Sequence, residues 1–285
     1  MAPLDSGLAP STSPALALRR ILAGCRADLR KHRAGMLRSK HPVGVHQTRV
    51  ALRKMRAALG LFRAAVDGPL VRSLNAEARW LAGECGPARD LHVFLTETVG
   101  EVPPEIRRIA GRLEATYLQR ARAALGSARF DAFDHKLERF MDLAPAPDED
   151  DRLDRFARVA LATRHAKALR RGRRIEKLDI EGLHELRIAL KKLRYAAEFL
   201  RPAFASAATK PYIEATVRLQ GALGALNDRA VARHVLADLA TAARPTEQVK
   251  RPLKRLAKQA EAGDKRRRRQ IEQAWQSFRK AAPFW

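Results

Sequence analysis

The sequence predicts an all-α protein, two pseudosymmetric antiparallel helical bundles made by an internal duplication, with a basic groove or pore. Three observations predict it. Apolar residues recur at three- and four-residue spacing through most of the chain, and no segment alternates convincingly as a strand does. Ala, Leu and Arg dominate while β-branched and aromatic residues are sparse; unbranched side chains lose little rotamer freedom in a helix. The chain also repeats itself. Val45-His46-Gln47-Thr48-Arg49-Val50-Ala51-Leu52-Arg53-Lys54-Met55-Arg56 returns as Leu183-His184-Glu185-Leu186-Arg187-Ile188-Ala189-Leu190-Lys191-Lys192-Leu193-Arg194, and His46 to His184 sets an offset of 138 residues. Leu81, Gly83, Gly86 and Asp90 answer to Leu219, Gly221, Gly224 and Asp228 at that same offset. Two blocks sharing one register mark a duplication.

In chain order, residues 1–14 are rich in Ala, Pro and Ser, with no positive residue and no apolar core segment, and read as a flexible tail rather than a signal peptide. The first bundle half, 15–142, holds helices near 15–37, 43–66, 70–84, 88–98, 103–126 and 129–142. His41-Pro42, Gly68-Pro69, Gly86-Pro87, Pro103-Pro104 and Gly126-Ser127 punctuate them. Residues 143–150, with two prolines and an acidic run, read as the linker between halves. The second half, 151–285, holds helices near 151–174, 180–201, 210–224, 226–242 and 247–280.

The charge balance points to a partner. Against 31 Asp and Glu stand 56 Lys and Arg, a net charge of +25. Self-repulsion on that scale costs stability, and a polyanion offsets it: nucleic acid, an anionic membrane or a phosphate polymer. Arg heavily outnumbers Lys, which favours forked recognition of phosphate oxygens. Cys25 and Cys85 lack metal-ligand spacing and read as free thiols of a reducing compartment. No apolar run approaches the length of a membrane span, and a cytoplasmic location is expected.

With about 100° per residue and His46 at zero, Arg49, Arg53 and Arg56 fall on one stripe within roughly 80°. Val45, Leu52, Met55, Leu59 and Phe62 occupy the adjoining sector. The second copy sets His184, Arg187, Lys191 and Arg194 beside Leu183, Leu186, Leu190, Leu193 and Leu200. The basic stripes therefore lie at the edge of the core, where partial desolvation strengthens hydrogen bonds to phosphate. A solvated, salt-bridged face is the alternative. Against it, no carboxylate lies between Asp28 and Asp67, while Arg30, Lys31, Arg33, Arg38, Lys40, Arg49, Arg53, Lys54, Arg56 and Arg63 accumulate. In the second copy Glu198 follows Arg194 by four residues and is placed to pair with it. Each His reads either as a capping or packing residue or as a phosphate ligand, and both readings stay open. Asp90 and Asp228 follow glycine-containing turns and read as helix caps or as partners orienting a nearby Arg. Runs such as Arg170-Arg171-Gly172-Arg173-Arg174 and Lys265-Arg266-Arg267-Arg268-Arg269 read as solvated surface that extends the basic area.

The H-x-x-R-V-A-L-R-K-M-R stretch, followed by the block from Leu81 to Asp90, resembles the CHAD domain, the conserved histidine α-helical domain. H-E-L-R-I-A-L-K-K-L-R with L-G-A-L-N-D resembles its other half, and the similarity runs from about residue 15 to the end. The resemblance implies two pseudosymmetric helical bundles around a basic groove or pore, binding of inorganic polyphosphate and association with polyphosphate granules. Carried onto this chain, it implies His46, Arg49, Arg53, Arg56, His184, Arg187, Lys191 and Arg194 as ligands. Lys54, Arg63, Lys192 and Arg201 extend that set along the same helices. Some members are fused to a triphosphate-hydrolysing tunnel domain with an E-x-E-x-K signature; none is found here, so a stand-alone member is expected. His41-Pro42-Val43 departs from the acidic lead-in seen at Asp179-Ile180-Glu181.

The resulting expectation is a non-enzymatic polyphosphate-binding protein that needs no cofactor or metal. A non-specific nucleic-acid binder is the alternative, although no zinc-finger spacing, aromatic stacking motif or helix-turn-helix supports it. A phosphohydrolase using His46 or His184 is the third class, and no acidic metal cluster or Gly-rich phosphate loop supports that. Oligomeric state and chain-length preference are left undetermined by the sequence.

Overall fold

A computed structural model describes residues 7–38, 43–143, 152–204, 207–243, 247–261 and 264–285. Among them are eleven α-helices and no strand: α1 (Pro14–Arg38), α2 (Val43–Leu61), α3 (Pro69–Glu84), α4 (Gly86–Val93), α5 (Pro104–Leu125), α6 (Ala128–Asp142), α7 (Leu153–Gly172), α8 (Ile180–Leu200), α9 (Thr209–Ala242), α10 (Glu247–Glu261) and α11 (Asp264–Lys280). Helix starts follow local chemistry. Prolines occupy the first turns of α3, α4 and α5, where a missing N–H has no intrahelical role. Ser127 accepts from the Phe130 N–H at 3.2 Å to start α6, and Asp179 accepts from the Gly182 N–H at 2.8 Å to start α8.

α1 packs along α2 and α7 along α8, and the two hairpins meet where α2 lies against α8. The larger core draws Leu18, Leu22 and Leu29 from α1, Leu52 and Met55 from α2, Leu186, Leu190 and Leu193 from α8, and Tyr212 and Leu219 from α9. The smaller core joins Leu91, Phe94 and Ile106 to Val235, Leu239 and Leu256. Both cores therefore draw on both halves of the sequence. Cys25 and Cys85 are free and buried, and burial pushes both thiols up to about 12, which leaves them unreactive.

Three expectations need correction. The tail is fixed from Gly7 onward: Leu8 is buried, the Leu153 N–H donates to Thr12 at 2.8 Å and the Asp154 N–H to Pro10 at 3.1 Å. Residues 1–6 lie outside the described residues, as do 144–151, which take in all of the expected linker 143–150 except Leu143. The break expected at Gly224 is absent, for α9 runs unbroken from Thr209 to Ala242. Gly86 is followed by a proline but Gly224 by Ala225, which keeps its N–H. Gly221 and Gly224 each cost α9 only about 1 kcal/mol, and the helix packs on α8, α10 and α11. The single helix expected over 247–280 is instead two, α10 and α11, flanking residues 262–263, which are outside the described residues.

Candidate functional site

The apolar sectors of the repeated helices are buried as their periodicity requires: Val45, Leu52, Met55, Leu59 and Phe62 in one copy, Leu183, Leu186, Leu190, Leu193 and Leu200 in the other. Each such side chain contributes about 2 kcal/mol by leaving water, enough in sum to fix the rotation of both helices. With that rotation set, Arg53 and Arg56 of α2 and Lys191 and Lys192 of α8 line one cleft of about 410 Å³. Arg164 and Lys167 of α7 form its third side, and Ala57, Gly60, Leu61, Thr163 and Tyr195 complete the lining. Among the described residues, six cations and no carboxylate line this space.

Hydrogen bonding within the cleft is incomplete. Arg53 Nε donates to the Tyr195 hydroxyl at 2.6 Å, tying α2 to α8. Tyr195 is itself buried, stacked on Phe199 with ring centroids 5.9 Å apart and covered by the Arg194 guanidinium at 4.9 Å. Arg56 Nε is buried without a hydrogen-bond partner, a state that costs about 1–3 kcal/mol until an acceptor arrives. Burial pushes Lys191 below its ordinary value, and Arg187, Arg53, Arg56 and Lys192 push it further the same way. Burial likewise lowers Arg56, with Arg79 adding to it, and lowers Arg164. These are crowded, partly dehydrated cations, the electrostatic complement of a polyanion.

The other sequence-derived candidates lie elsewhere. His46 is exposed and lines a separate pocket of about 270 Å³ with Gln47, Ala88, Arg89, His92, Val93 and Glu97. Arg49 is turned inward, Nη1 donating to the Ala82 carbonyl at 2.8 Å. Gly86 makes that possible, because a Cβ there would sit 2.9 Å from the same nitrogen. Asp90, inside α4 rather than capping it, lies 3.2 Å from Arg89 and favours the charge on Arg49. It therefore follows the orienting alternative and not the capping one; the Asp228 side chain is outside the described residues. Lys54 is only 6% exposed, in the neighbourhood of Cys25 and Glu198, and does not line the cleft. Arg63 is on the turn Phe62–Ala64, 4.0 Å from Asp67. His184 is exposed, Arg187 stands beside Lys191, and Arg201 begins the turn Arg201–Ala203 near Glu198. Arg194 pairs with Glu198 at 3.6 Å, as its spacing indicates.

The carboxylate-free stretch is not partner-free. Arg33 bonds Asp131 at 2.9 Å and Arg30 lies 3.7 Å from Asp134, both on α6. Of the charge runs, Arg171 pairs with Glu185 and Arg268 donates to the Leu178 carbonyl at 3.2 Å. Sequence reasoning missed Arg164, Lys167 and Tyr195. The i, i+3 spacing of Arg164 and Lys167, which puts both on one helix face, is the signal that could have found two of them.

The sequence model of the CHAD domain matches residues 20–237. The crystal structure of the CHAD domain from the plant Ricinus communis is similar with a TM-score of 0.80 and 24% identity, over 96% of this chain and 94% of that one. PptA from Streptomyces chartreusis is similar with a TM-score of 0.62 and 17% identity, over 95% of this chain and 99% of that one. No curated protein matches the chain. Likeness at such identities concerns the fold.

Proposed function

The chain belongs to the CHAD family, and from that premise we propose that it binds inorganic polyphosphate in the cleft between α2, α7 and α8. The observation that carries this reading is the convergence of Arg53, Arg56, Arg164, Lys167, Lys191 and Lys192 on one space without a carboxylate. Arginine forks and lysine ammoniums donate to non-bridging phosphate oxygens, and the buried Arg56 Nε gains the acceptor it lacks. Binding is non-catalytic in this proposal. The protein acts as an adaptor or organiser at polyphosphate granules in the cytoplasm.

Nucleic acid fits the cleft less well. Tyr195, the one aromatic residue lining it among the described residues, is 3% exposed and already engaged by Arg53 and Phe199, so no ring face is offered to a base. Competition at fixed salt tests the proposal: polyphosphate against duplex DNA and against RNA, matched per phosphate. Polyphosphate should displace both, and its affinity should fall steeply with salt as counterions are released. Equal competition per phosphate would replace this reading with a non-specific polyanion surface. Release of orthophosphate from polyphosphate by purified protein would overturn the non-catalytic part.

A further inference from the structure

The sequence repeat gives every residue of the cleft a counterpart 138 positions away. Arg53 and Lys191 answer to each other, as do Ala57 and Tyr195, and all four line the cleft where α2 meets α8. Past that line the two sides differ. Gly60 and Leu61 answer to Glu198 and Phe199, Thr163 and Lys167 to Cys25 and Leu29, and Lys192 to Lys54. Cys25, Leu29, Lys54 and Phe199 are all exposed by 6% or less. Glu198 stands among them, 3.6 Å from Arg194 and within electrostatic reach of Lys54 and Arg53. Gly60, by contrast, leaves open space: a Cβ there would meet nothing within 4 Å. The cleft therefore ends at Arg53, Lys191 and Tyr195, with packed side chains and a carboxylate behind them.

We infer that the cleft is blind and takes the terminal phosphate of a polyphosphate chain, not the middle of a chain passing through. The inference rests on the polyphosphate reading of this cleft and names the part of the polymer it holds. A terminal phosphate presents three non-bridging oxygens and ionises a second time near pH 6, whereas an internal unit presents two oxygens and one charge. Six cations around a closed end favour the unit with the most charge and the most acceptors. A chain running on past Tyr195 would have to displace the stacked Tyr195 and Phe199 and pass the Glu198 carboxylate, which repels it.

The test compares a polyphosphate of one length with free ends and the same chain amidated at both ends with an uncharged alkylamine. Salt is set high enough to screen the outer surface. Capping should weaken binding by about tenfold or more, and long free-ended chains should saturate at one protein per chain end whatever their length. Equal affinity of capped and free chains, or loading in proportion to length, overturns the inference. Gly60→Glu separates this failure from that of the parent reading. It places in the open side the residue that the closed side carries, at a position with room for it, and should abolish binding of the free-ended chain. If binding survives in that variant while helicity is unchanged, the cleft is not the polyphosphate site and the end-binding inference falls with it.

Discussion

The two sides of the α2–α8 contact are built from equivalent stretches of sequence, yet one is an open basic cleft and on the other Cys25, Leu29, Lys54 and Phe199 are buried. On the open side Ala57 and Gly60 are small, and Arg164 and Lys167 come from α7 to face Lys192. The counterparts of Ala57 and Gly60 in register are Tyr195, which closes the end of the cleft, and Glu198, followed by the buried Phe199. Arg26, the counterpart of Arg164, is consumed by a bidentate bond to Asp134 at 2.7 and 2.8 Å and by Glu138 at 3.0 Å. The difference teaches that a basic stripe opens as a cationic cleft only where small neighbours leave volume and where no carboxylate has claimed the cations first. Number of charges does not decide it.

The largest expected effect separates the two sides by what each variant damages. Arg164→Glu should lower polyphosphate affinity about a hundredfold, through a lost contact and a new repulsion, with Tm little changed. Arg26→Gln should do the opposite. It leaves Asp134 buried without its fork, which costs about 3 kcal/mol of stability, while affinity per folded molecule holds. Calorimetry and polyphosphate titration on both variants check this, and a stability loss in Arg164→Glu matching that of Arg26→Gln would erase the distinction.

The same ion pair sets the acid limit of the fold. Burial works to raise the Asp134 carboxyl, but the Arg26 fork more than offsets it and holds it below the usual carboxylate range. A carboxylate held low stabilises the fold above its unfolded value of about 4, and that stabilisation is lost as pH falls through the folded value. Acid unfolding of the wild type should therefore steepen below about pH 4, and Arg26→Gln should flatten that limb. Polyphosphate affinity should show no matching step, because the open side has no carboxylate to titrate.

Lys192 and Lys54 supply a smaller contrast from one repeat position. Lys192→Met should weaken binding several-fold and reduce the salt slope by about one. Lys54→Met should change affinity by less than about twofold and shift Tm instead. Equal effects on binding would mean that the side carrying Lys54 also reaches the ligand.

How much of this was legible depended on what decides each feature. The buried faces of α2 and α8 and the Arg194–Glu198 pair follow from helical spacing alone, and the sequence carries them. The unequal fates of Lys54 and Lys192 do not. Each is set by the helix opposite, Cys25 and Leu29 in one case and Thr163 and Lys167 in the other, and no local pattern states which helix that is. Arg30 and Arg33 look unpartnered for the same reason, since their carboxylates arrive on α6. The inward turn of Arg49 shows only as Gly86, whose missing Cβ is needed for the approach. The continuity of α9 turned on Ala225 replacing Pro87, a difference visible in the sequence once the repeat is aligned.

The smallest expected effect concerns His46, where the halves differ again. Though exposed at its edge, the His46 imidazole is partly desolvated in its pocket, which lowers it below its ordinary value; Arg89, Arg53 and Arg49 add to that, and Glu97 opposes it. In the free protein His46 is therefore largely neutral at pH 7. A polyanion bound beside Arg53 offsets the repulsion and raises the imidazole again, so His46 takes up a proton on binding as pH falls toward and below about 6.5, against the proton that a chain end ionising near pH 6 gives up. Because His46 lines a separate pocket and is linked to the cleft only through the charge of Arg53, its contribution to affinity should stay below about fivefold. At the register position of Arg89 the second half carries Asn227, so the cation that bears most on His46 has no counterpart in that sequence. His46→Gln should remove this uptake, read as the difference from wild type with the same polyphosphate, while leaving most affinity at neutral pH, and His184→Gln should do less. Titration calorimetry in two buffers of different ionisation enthalpy reads the proton uptake directly. Uptake that persists undiminished in His46→Gln would place the titrating group elsewhere and remove His46 from the ligand's surroundings.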